Sequence, residues 1–136
     1  MLSARKIELS LCFSVLMLLA PVNSHAADAA GNYAIWGLGQ SSCFQYTKAV
    51  AKEETDRYRD YLMGYLTAFN TLSENTYNVS GKAKLSEIAE SIADYCDAHQ
   101  IESFNRAIQQ YVAEQFEKRH TVAPGSTQGW GAKSAK

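Results

Sequence analysis

Histidine and proline are scarce in this sequence, and basic residues do not cluster beyond its N-terminal region. The 136 residues include three histidines, two prolines and three cysteines. Because no basic patch is present, the chain lacks the electrostatic footprint of a nucleic-acid-binding protein. No stretch after Val22 is apolar enough to cross a membrane. We therefore expect no nucleic-acid partner and, once the N-terminal region is removed, no membrane segment.

The scarcity of histidine also limits the metal and catalytic chemistry that the chain can support. Beyond the N-terminal region the histidines are His99 and His120, and neither has a metal-ligand spacing with a cysteine. His99 closes a predicted helix, where a histidine more often partners the helix dipole than acts as a general base. Gly37 to Gly39 forms half of a dinucleotide-binding fingerprint, but no strand precedes it and the third glycine is missing. We expect no metal, no cofactor and a binding protein rather than an enzyme.

The N-terminus has the features of a secretory signal peptide. Arg5 and Lys6 precede an apolar run from Leu9 to Val22, and Ser24 to Ala26 fits the small-x-small rule for cleavage. The run is too short for a comfortable membrane span. Cys12 lies inside it with more hydrophobic sequence after it, which argues against a lipoprotein. We expect cleavage after Ala26 and an exported protein.

Two cysteines, Cys43 and Cys96, remain after this cleavage. In an oxidising compartment an even pair predicts a disulfide. The alternative, half of a metal site, lacks partner ligands. For a loop of this length the chain-entropy argument gives about 4 kcal/mol of stabilisation. That gain is comparable with much of the net stability expected of so small a domain.

Apolar spacing predicts four helices and no strand. The central one, Tyr58 to Leu72, carries large apolar residues in the i, i+3, i+4, i+7 series of one helical face, which we expect to point inward. These residues are Tyr58, Tyr61, Leu62, Tyr65, Phe69 and Leu72. The first helix is expected to begin at Ser42, which opens an S-x-x-Q capping box, and Thr55 to cap the central helix. The third helix is predicted from about Lys84 to Ala98. For the fourth, about Ile101 to Arg119, we expect these residues to face inward: Ile101, Phe104, Ile108, Tyr111, Val112 and Phe116.

The central helix has two distinct borders beside its apolar stripe. Gly64 and Ala68 are one turn apart, where a partner backbone could approach closely. We therefore expect Gly64→Leu to destabilise the fold by overpacking. On the other border, Met63, Leu66 and Asn70 are candidates for a semi-exposed contact surface.

The third helix carries a ladder of carboxylates on its outer face: Glu87, Glu90, Asp94 and Asp97. A solvated helix face is the commoner explanation of such a ladder. Like charges at i+3 and i+4 are mildly destabilising at neutral pH, and protonation relieves the repulsion. The alternative interpretation is an interaction surface that weakens a pH-sensitive contact or docks a cationic partner.

The sequence divides into four segments. Residues 1–26 are the predicted signal peptide and residues 27–40 an extended arm containing Trp36. Residues 41–119 form a single helical domain. Residues 120–136, with Trp130, are expected to be a disordered tail. Within the domain, a loop after Leu72 has a predicted turn at Ser80-Gly81. Neither tryptophan has an assigned role.

Several motifs together resemble a known family of small periplasmic proteins. They are Ser-x-Cys at Ser41–Cys43, Gly-Tyr-Leu at Gly64–Leu66, Asn-Val-Ser-Gly at Asn78–Gly81, the second cysteine Cys96, and a helix with Phe104 and Ala107. This layout resembles the HdeA/HdeB type over roughly Ser41 to Gln115. Within the same grouping it is similar to the Tai-type immunity proteins of type VI secretion.

The resemblance implies a small orthogonal four-helix domain in the periplasm, joined by one disulfide. For the acid chaperones it implies a dimer at neutral pH that opens in acid and shields unfolding client proteins. For the immunity proteins it implies a dimer that blocks a peptidoglycan-cutting toxin. Only Cys43 and Cys96 can be transferred residue by residue. We expect a stress- or acid-chaperone-like binding protein, with an immunity-type inhibitor of a cell-wall hydrolase as the alternative and a homodimer possible in both.

Overall fold

The computed structural model describes residues 27–28 and 30–125, and its regular elements are helical. The four α-helices in chain order are α1 (Cys43–Ala51), α2 (Asp56–Leu72), α3 (Leu85–Ala98) and α4 (Phe104–Gln115). Short 3₁₀ turns occur at Gly37–Gln40 and Phe116–Lys118. No β-strand occurs among the described residues. The predicted all-α class and the four helices are confirmed there.

Backbone contacts divide the chain into two compact units, Met1–Ala34 and Ile35–Lys136. The predicted signal peptide (1–26) and residues 126–136, which include Trp130, lie outside the described residues. Over 27–28 and 30–125, no helix is both long and apolar enough to cross a membrane.

The described part of the first unit is a turn built around Asp28. One carboxylate oxygen of Asp28 accepts hydrogen bonds from the backbone amides of Ala30 and Asn32 at 2.9 and 2.8 Å. The Asn32 side chain donates to the other oxygen at 3.2 Å. Gly31 completes the turn with a φ of +84°, a conformation that glycine adopts without steric cost. These hydrogen bonds, those from Asn32 above all, lower the pKa of Asp28 below 3.8.

The N-terminus of α1 is fixed by the predicted capping box and by a short pairing with the start of α4. The Ser42 hydroxyl accepts from the Gln45 amide at 3.3 Å, and the Gln45 side chain accepts from the Ser42 amide at 3.0 Å. The Cys43 amide donates to the Glu102 carbonyl, and the Phe104 amide donates to the Ser41 carbonyl, each at 2.8 Å. The two helix starts are therefore joined by an isolated antiparallel bridge.

Helix α4 begins later than its apolar spacing predicts. Ser103 is its N-cap, and the Ser103 hydroxyl accepts from the Arg106 amide at 3.1 Å. Ile101 is 97% exposed, so its expected inward position is wrong. Residues 100–102 form a turn and a bend, in which the amide of Glu102 bonds to the carbonyl of His99. The pairing of residues 102 and 104 with residues 43 and 41 holds this segment outside the helix. The helix also ends before Arg119, passing into the 3₁₀ turn after Gln115.

The predicted disulfide between Cys43 and Cys96 is present and joins α1 to α3. Their Cα atoms lie 4.6 Å apart, and both residues are fully buried. Around the bridge, α1 packs directly against α3. The largest other fully buried side chains are Phe104, Leu62, Ile92, Ile108 and Val79. The covalent bond thus lies inside the hydrophobic core rather than at its edge.

Helix α2 turns a different face to the core than its small residues suggest. Its buried residues are Tyr58, Leu62 and Leu66. At 3.6 residues per turn, Gly64 points about 160° away from both leucines, and nothing lies within 4 Å of a Cβ built on it. The expectation that Gly64 marks the closest helix contact, and that Gly64→Leu overpacks the core, is therefore wrong.

The close approach occurs instead at Gly39, in the 3₁₀ turn before α1. A Cβ on Gly39 would lie 2.5 Å from Tyr61 Cζ and 2.7 Å from Ile35 Cγ2. The Tyr61 hydroxyl donates to Asn105 Oδ1 at 3.0 Å, and Asn105 is 4% exposed. Because Gly39 has no side chain, the ring of Tyr61 fits beside it, and the Tyr61 hydroxyl can bond the buried side-chain amide of Asn105.

The predicted loop after α2 is held by α2 itself and by the chain that follows α4. Asn70 accepts a hydrogen bond from the Val79 amide at 2.8 Å, and Val79 is fully buried. The His120 carbonyl accepts from the amides of Tyr77 and Asn78, and the His120 amide donates back to Asn78 at 2.9 Å. His120, placed by the sequence at the start of the tail, is thus paired with this loop.

Candidate binding surfaces

An uncharged surface lies at the C-terminal end of α2. It surrounds a groove of about 240 Å³ lined by Tyr65, Ala68, Phe69, Leu72 and Ser73, which we call the α2 groove. Tyr65 and Phe69 pack partly against the core, whereas Leu72 is 83% exposed. The inward position expected for Leu72 is therefore wrong. Helix α2 ends there, so no neighbouring element covers the last residue of the stripe.

The floor of the α2 groove is fixed by aromatic packing from the chain after α4. The rings of Phe69 and Phe116 meet edge-to-face with centroids 6.3 Å apart. The Arg119 guanidinium lies 3.9 Å above the Phe116 ring, a distance typical of a cation–π contact. Phe116 thus contacts both Phe69 and Arg119, and these contacts support the Phe69 ring that lines the groove.

The predicted contact set Met63, Leu66 and Asn70 does not form one surface. Met63 is 43% exposed, but Leu66 belongs to the core cluster, so its expected semi-exposed position is wrong. Asn70 uses its side-chain oxygen to hold the loop at Val79. The apolar spacing places Gly64 on one border of the stripe and Leu66 on the other, whereas the buried face of α2 includes Leu66 and leaves Gly64 open. A binding role for Met63 and Asn70 stays a prediction.

The carboxylate ladder does form one exposed face of α3. Glu87, Glu90, Asp94 and Asp97 are all exposed. Glu87 accepts a hydrogen bond from the Lys84 amide at 2.8 Å and so caps the helix. Among the described residues, the side chains of the other three have no hydrogen bond or ion pair. The arrangement fits a solvated face with one capping residue, and its role in docking stays a prediction.

A second concave feature, the aromatic cavity, has a volume of about 300 Å³. Its lining includes three aromatic rings and three polar side chains: Tyr46, Tyr58, Phe104, Thr55, Arg59 and Ser86. The ring centroids of Tyr46, Tyr58 and Phe104 lie 4.6 to 5.0 Å apart. Burial, and secondarily the neighbouring Tyr58, raises the pKa of Tyr46, so its hydroxyl stays protonated at neutral pH. The sequence pattern does not predict this cavity. Helical periodicity shows which side of a helix is apolar, but it does not show where a cavity forms between helices.

A third, wider groove of about 660 Å³ lies beside the polar side of α2 and is rich in threonine. Thr67 and Thr71 in its wall donate to carbonyls one turn earlier in α2, each at 2.8 Å. Hydroxyls bonded in this way offer a ligand lone pairs but no free donor. This groove therefore supports a weaker case for specific recognition than the aromatic cavity.

His99, which the sequence predicts to close a helix rather than to act as a base, contacts groups of its own helix. His99 Nδ1 lies 2.8 Å from the Tyr95 carbonyl, and the two rings stack 4.0 Å apart. His99 is also the C-cap of α3. Residues 27–28 and 30–125 hold no group of three or more histidine, cysteine, aspartate or glutamate side chains placed to bind a metal.

No family model, characterised protein or solved structure matches the chain. The likeness to the HdeA/HdeB type consequently rests on the motifs of the sequence, and it stays a prediction.

Proposed function

We propose that this protein is an exported, periplasmic binding protein that shields partly unfolded client proteins under acid stress. The proposal includes cleavage of residues 1–26 and an orthogonal, HdeA-like arrangement of the four helices. The α2 groove is the observation that carries it. Leu72, 83% exposed, stands at the end of a groove lined by aromatic and small side chains. Unfolding proteins expose apolar segments, which such a surface can bind by burying apolar area.

The make-up of the core supports function in acid. The buried polar residues are Ser80 and Asn105, and no charged side chain among the described residues is buried. Acid therefore does not force protonation of a buried ion pair, a common cause of acid denaturation. The disulfide between Cys43 and Cys96 joins α1 to α3, and acid does not break it, because disulfide exchange requires a thiolate.

The change in net charge on acidification is the reason why we expect the packing of the protein to loosen in acid. After removal of residues 1–26, which contain Arg5, Lys6 and Glu8, the chain carries 11 lysines and arginines against 13 aspartates and glutamates. At about pH 2 the carboxylates are neutral, so the cations remain uncompensated. Self-repulsion then loosens the packing of a compact chain. We expect this loosening to widen the α2 groove while the disulfide prevents complete unfolding.

A pair of variants tests this proposal. Leu72→Glu places a polar side chain in the α2 groove, and Ile101→Glu changes an equally apolar, 97% exposed residue outside it. Light scattering follows the aggregation of an acid-unfolded client at about pH 2–3 and after neutralisation. We expect the wild type and Ile101→Glu to suppress aggregation and Leu72→Glu to lose most of this effect.

The same assay separates the alternatives. A wild-type protein that protects no client at any ratio overturns the chaperone proposal. Equal loss in both variants shows that general surface polarity, and not the α2 groove, is responsible. An immunity-type inhibitor would instead form a stoichiometric complex with one cell-wall hydrolase and leave unrelated clients unprotected.

A further inference from the structure

The aromatic cavity has the size and composition of a small-molecule site, independent of the α2 groove. Its volume of about 300 Å³ lies at the lower end of the range of ligand pockets. At roughly 30 Å³ for each water-sized unit of liquid, it holds a molecule of about ten non-hydrogen atoms. A guest of this size has room for one ring and one polar group.

The floor of the cavity is aromatic. Tyr46, Tyr58 and Phe104 are 3, 9 and 1% exposed, and their rings are held against one another by tilted and edge-to-face contacts. Leu62 and Leu85 extend this apolar lining. Because none of these three residues is more than 9% exposed, only a small part of each ring reaches the cavity. A flat aromatic guest can pack against these parts by edge-to-face contact.

The two hydroxyls of this floor differ in their partners. Tyr46 donates to the Ala89 carbonyl at 3.3 Å. Tyr58, which also lines the cavity, forms no side-chain hydrogen bond with any described residue. Its hydroxyl is not enclosed by protein, since the buried side-chain atoms without a partner among the described residues are Ser80 Oγ and the Tyr111 hydroxyl. Water therefore reaches the Tyr58 hydroxyl, and a guest can replace that water.

The charge at the cavity is positive. Arg59 is the one charged residue among the described residues that line it. Its guanidinium lies 3.4 Å from Asp56, but the Asp56 side chain is 91% exposed, so water screens that pair strongly. Ser86 and Thr55 contribute two hydroxyls, and the Thr55 side chain is not used in capping α2. A guest with an acceptor group, and preferably an anion, matches this set of donors.

We propose that the aromatic cavity binds a small aromatic monocarboxylate. The ring of the guest packs against the exposed parts of Tyr46, Tyr58 and Phe104. Its carboxylate pairs with the guanidinium of Arg59, whose planar array of N–H donors matches a carboxylate. The Tyr58 hydroxyl supplies a further hydrogen bond. The site is formed by the folded domain at neutral pH and requires no opening in acid.

Calorimetric titration with 3-phenylpropionate, its neutral amide and acetate tests the proposal. We expect saturable binding of 3-phenylpropionate at millimolar or lower concentration, about tenfold weaker binding of the amide, and none of acetate. The tenfold factor follows from the strength of a charge-assisted hydrogen bond. In NMR spectra the shifted amides should be those of Tyr58, Ala89 and Phe104.

Arg59→Gln and Arg57→Gln form the matched pair of variants. Both residues are exposed on α2, but only Arg59 lines the cavity. Arg59→Gln should weaken binding of 3-phenylpropionate by about tenfold and Arg57→Gln should leave it unchanged. Tyr58→Phe should weaken binding without changing the melting temperature, because the removed hydroxyl has no partner in the protein. No saturable binding, unaltered affinity in Arg59→Gln, or shifts confined to the α2 groove would each overturn the proposal.

Discussion

Gly39 is the position where a single methyl group has the largest expected effect. A Cβ there would overlap the ring of Tyr61, whose hydroxyl satisfies the buried Asn105. Gly39→Ala should therefore displace Tyr61 and leave Asn105 without its partner. We expect a loss of about 2 kcal/mol or more in the free energy of unfolding, from overpacking and an unsatisfied amide. Urea denaturation followed by circular dichroism measures it.

Gly64→Ala is the control for this prediction. Gly64 lies in α2 with open space around its Cα, and alanine favours a helix interior over glycine by about 0.5–1 kcal/mol. The variant should be as stable as the wild type or slightly more so. A larger loss at Gly64 than at Gly39 would contradict the described packing of both residues.

Asp28 provides a pH-dependent prediction for the first unit. Its pKa is lowered by hydrogen bonds to the carboxylate, so the turn gains stability above the ordinary value of 3.8. That stability is lost as the pH falls through the lowered pKa. In an NMR titration, the Ala30 and Asn32 amides should move together with a midpoint below 3.8. A midpoint above that value would show that these amides do not hold the carboxylate.

The start of α4 depends on a side-chain cap, whereas that of α2 does not. Ser103 accepts from the Arg106 amide, but Thr55, the N-cap of α2, forms no capping bond. Ser103→Ala should cost about 0.5–2 kcal/mol of stability, and Thr55→Ala close to nothing. Thermal melts of the two variants compare the caps directly. Equal losses would mean that Thr55 caps its helix in solution.

The sequence was informative about helices because helical periodicity and capping are local. The capping box at Ser42 was predicted and is present, and the third helix was placed within one residue of Leu85–Ala98. The pattern failed where long-range bonds decide the outcome. Pairing of residues 102 and 104 with residues 41 and 43 delays α4 and turns Ile101 outward.

The candidate surfaces were less predictable than the helices. Leu72 continues the apolar series of α2, so only the end of the helix and the path of the following loop reveal its exposure. The spacing of apolar residues places Leu66 on the outer border of α2, because the closest helix contact is expected at Gly64 on the opposite border. The aromatic cavity forms where four helices meet. The residue types of a single helix cannot predict a cavity that depends on the arrangement of several helices.

In the folded molecule the disulfide is the main covalent constraint on a small core. Replacing Cys43 and Cys96 together by alanine should lower the free energy of unfolding by about 2–5 kcal/mol, because the unfolded chain regains the entropy of an open loop. Both residues are fully buried, so no surface change accompanies the substitution. Urea midpoints of the variant and the wild type give the difference. Coincident curves would contradict a stabilising bridge.

In the part of the chain that the structure describes, this disulfide-linked core is combined with the uncovered apolar α2 groove. The net charge of the full sequence at neutral pH is near zero, at −1. Strong acid neutralises carboxylates and leaves lysines and arginines charged, so it shifts the net charge strongly. Under the proposed function, the core provides survival in acid and the α2 groove provides contact with clients. These two roles are separable, because the disulfide joins α1 to α3 and the groove lies on α2.

Site-specific photo-crosslinking tests the central claim most directly. A photoreactive side chain replaces Leu72 in one variant and Ile101 in another, and each is irradiated with an unfolding client at about pH 2–3. Crosslinked client at position 72, with little at position 101, is the result that the account predicts. Equal crosslinking at both positions, or none at position 72 while aggregation is still suppressed, would contradict it.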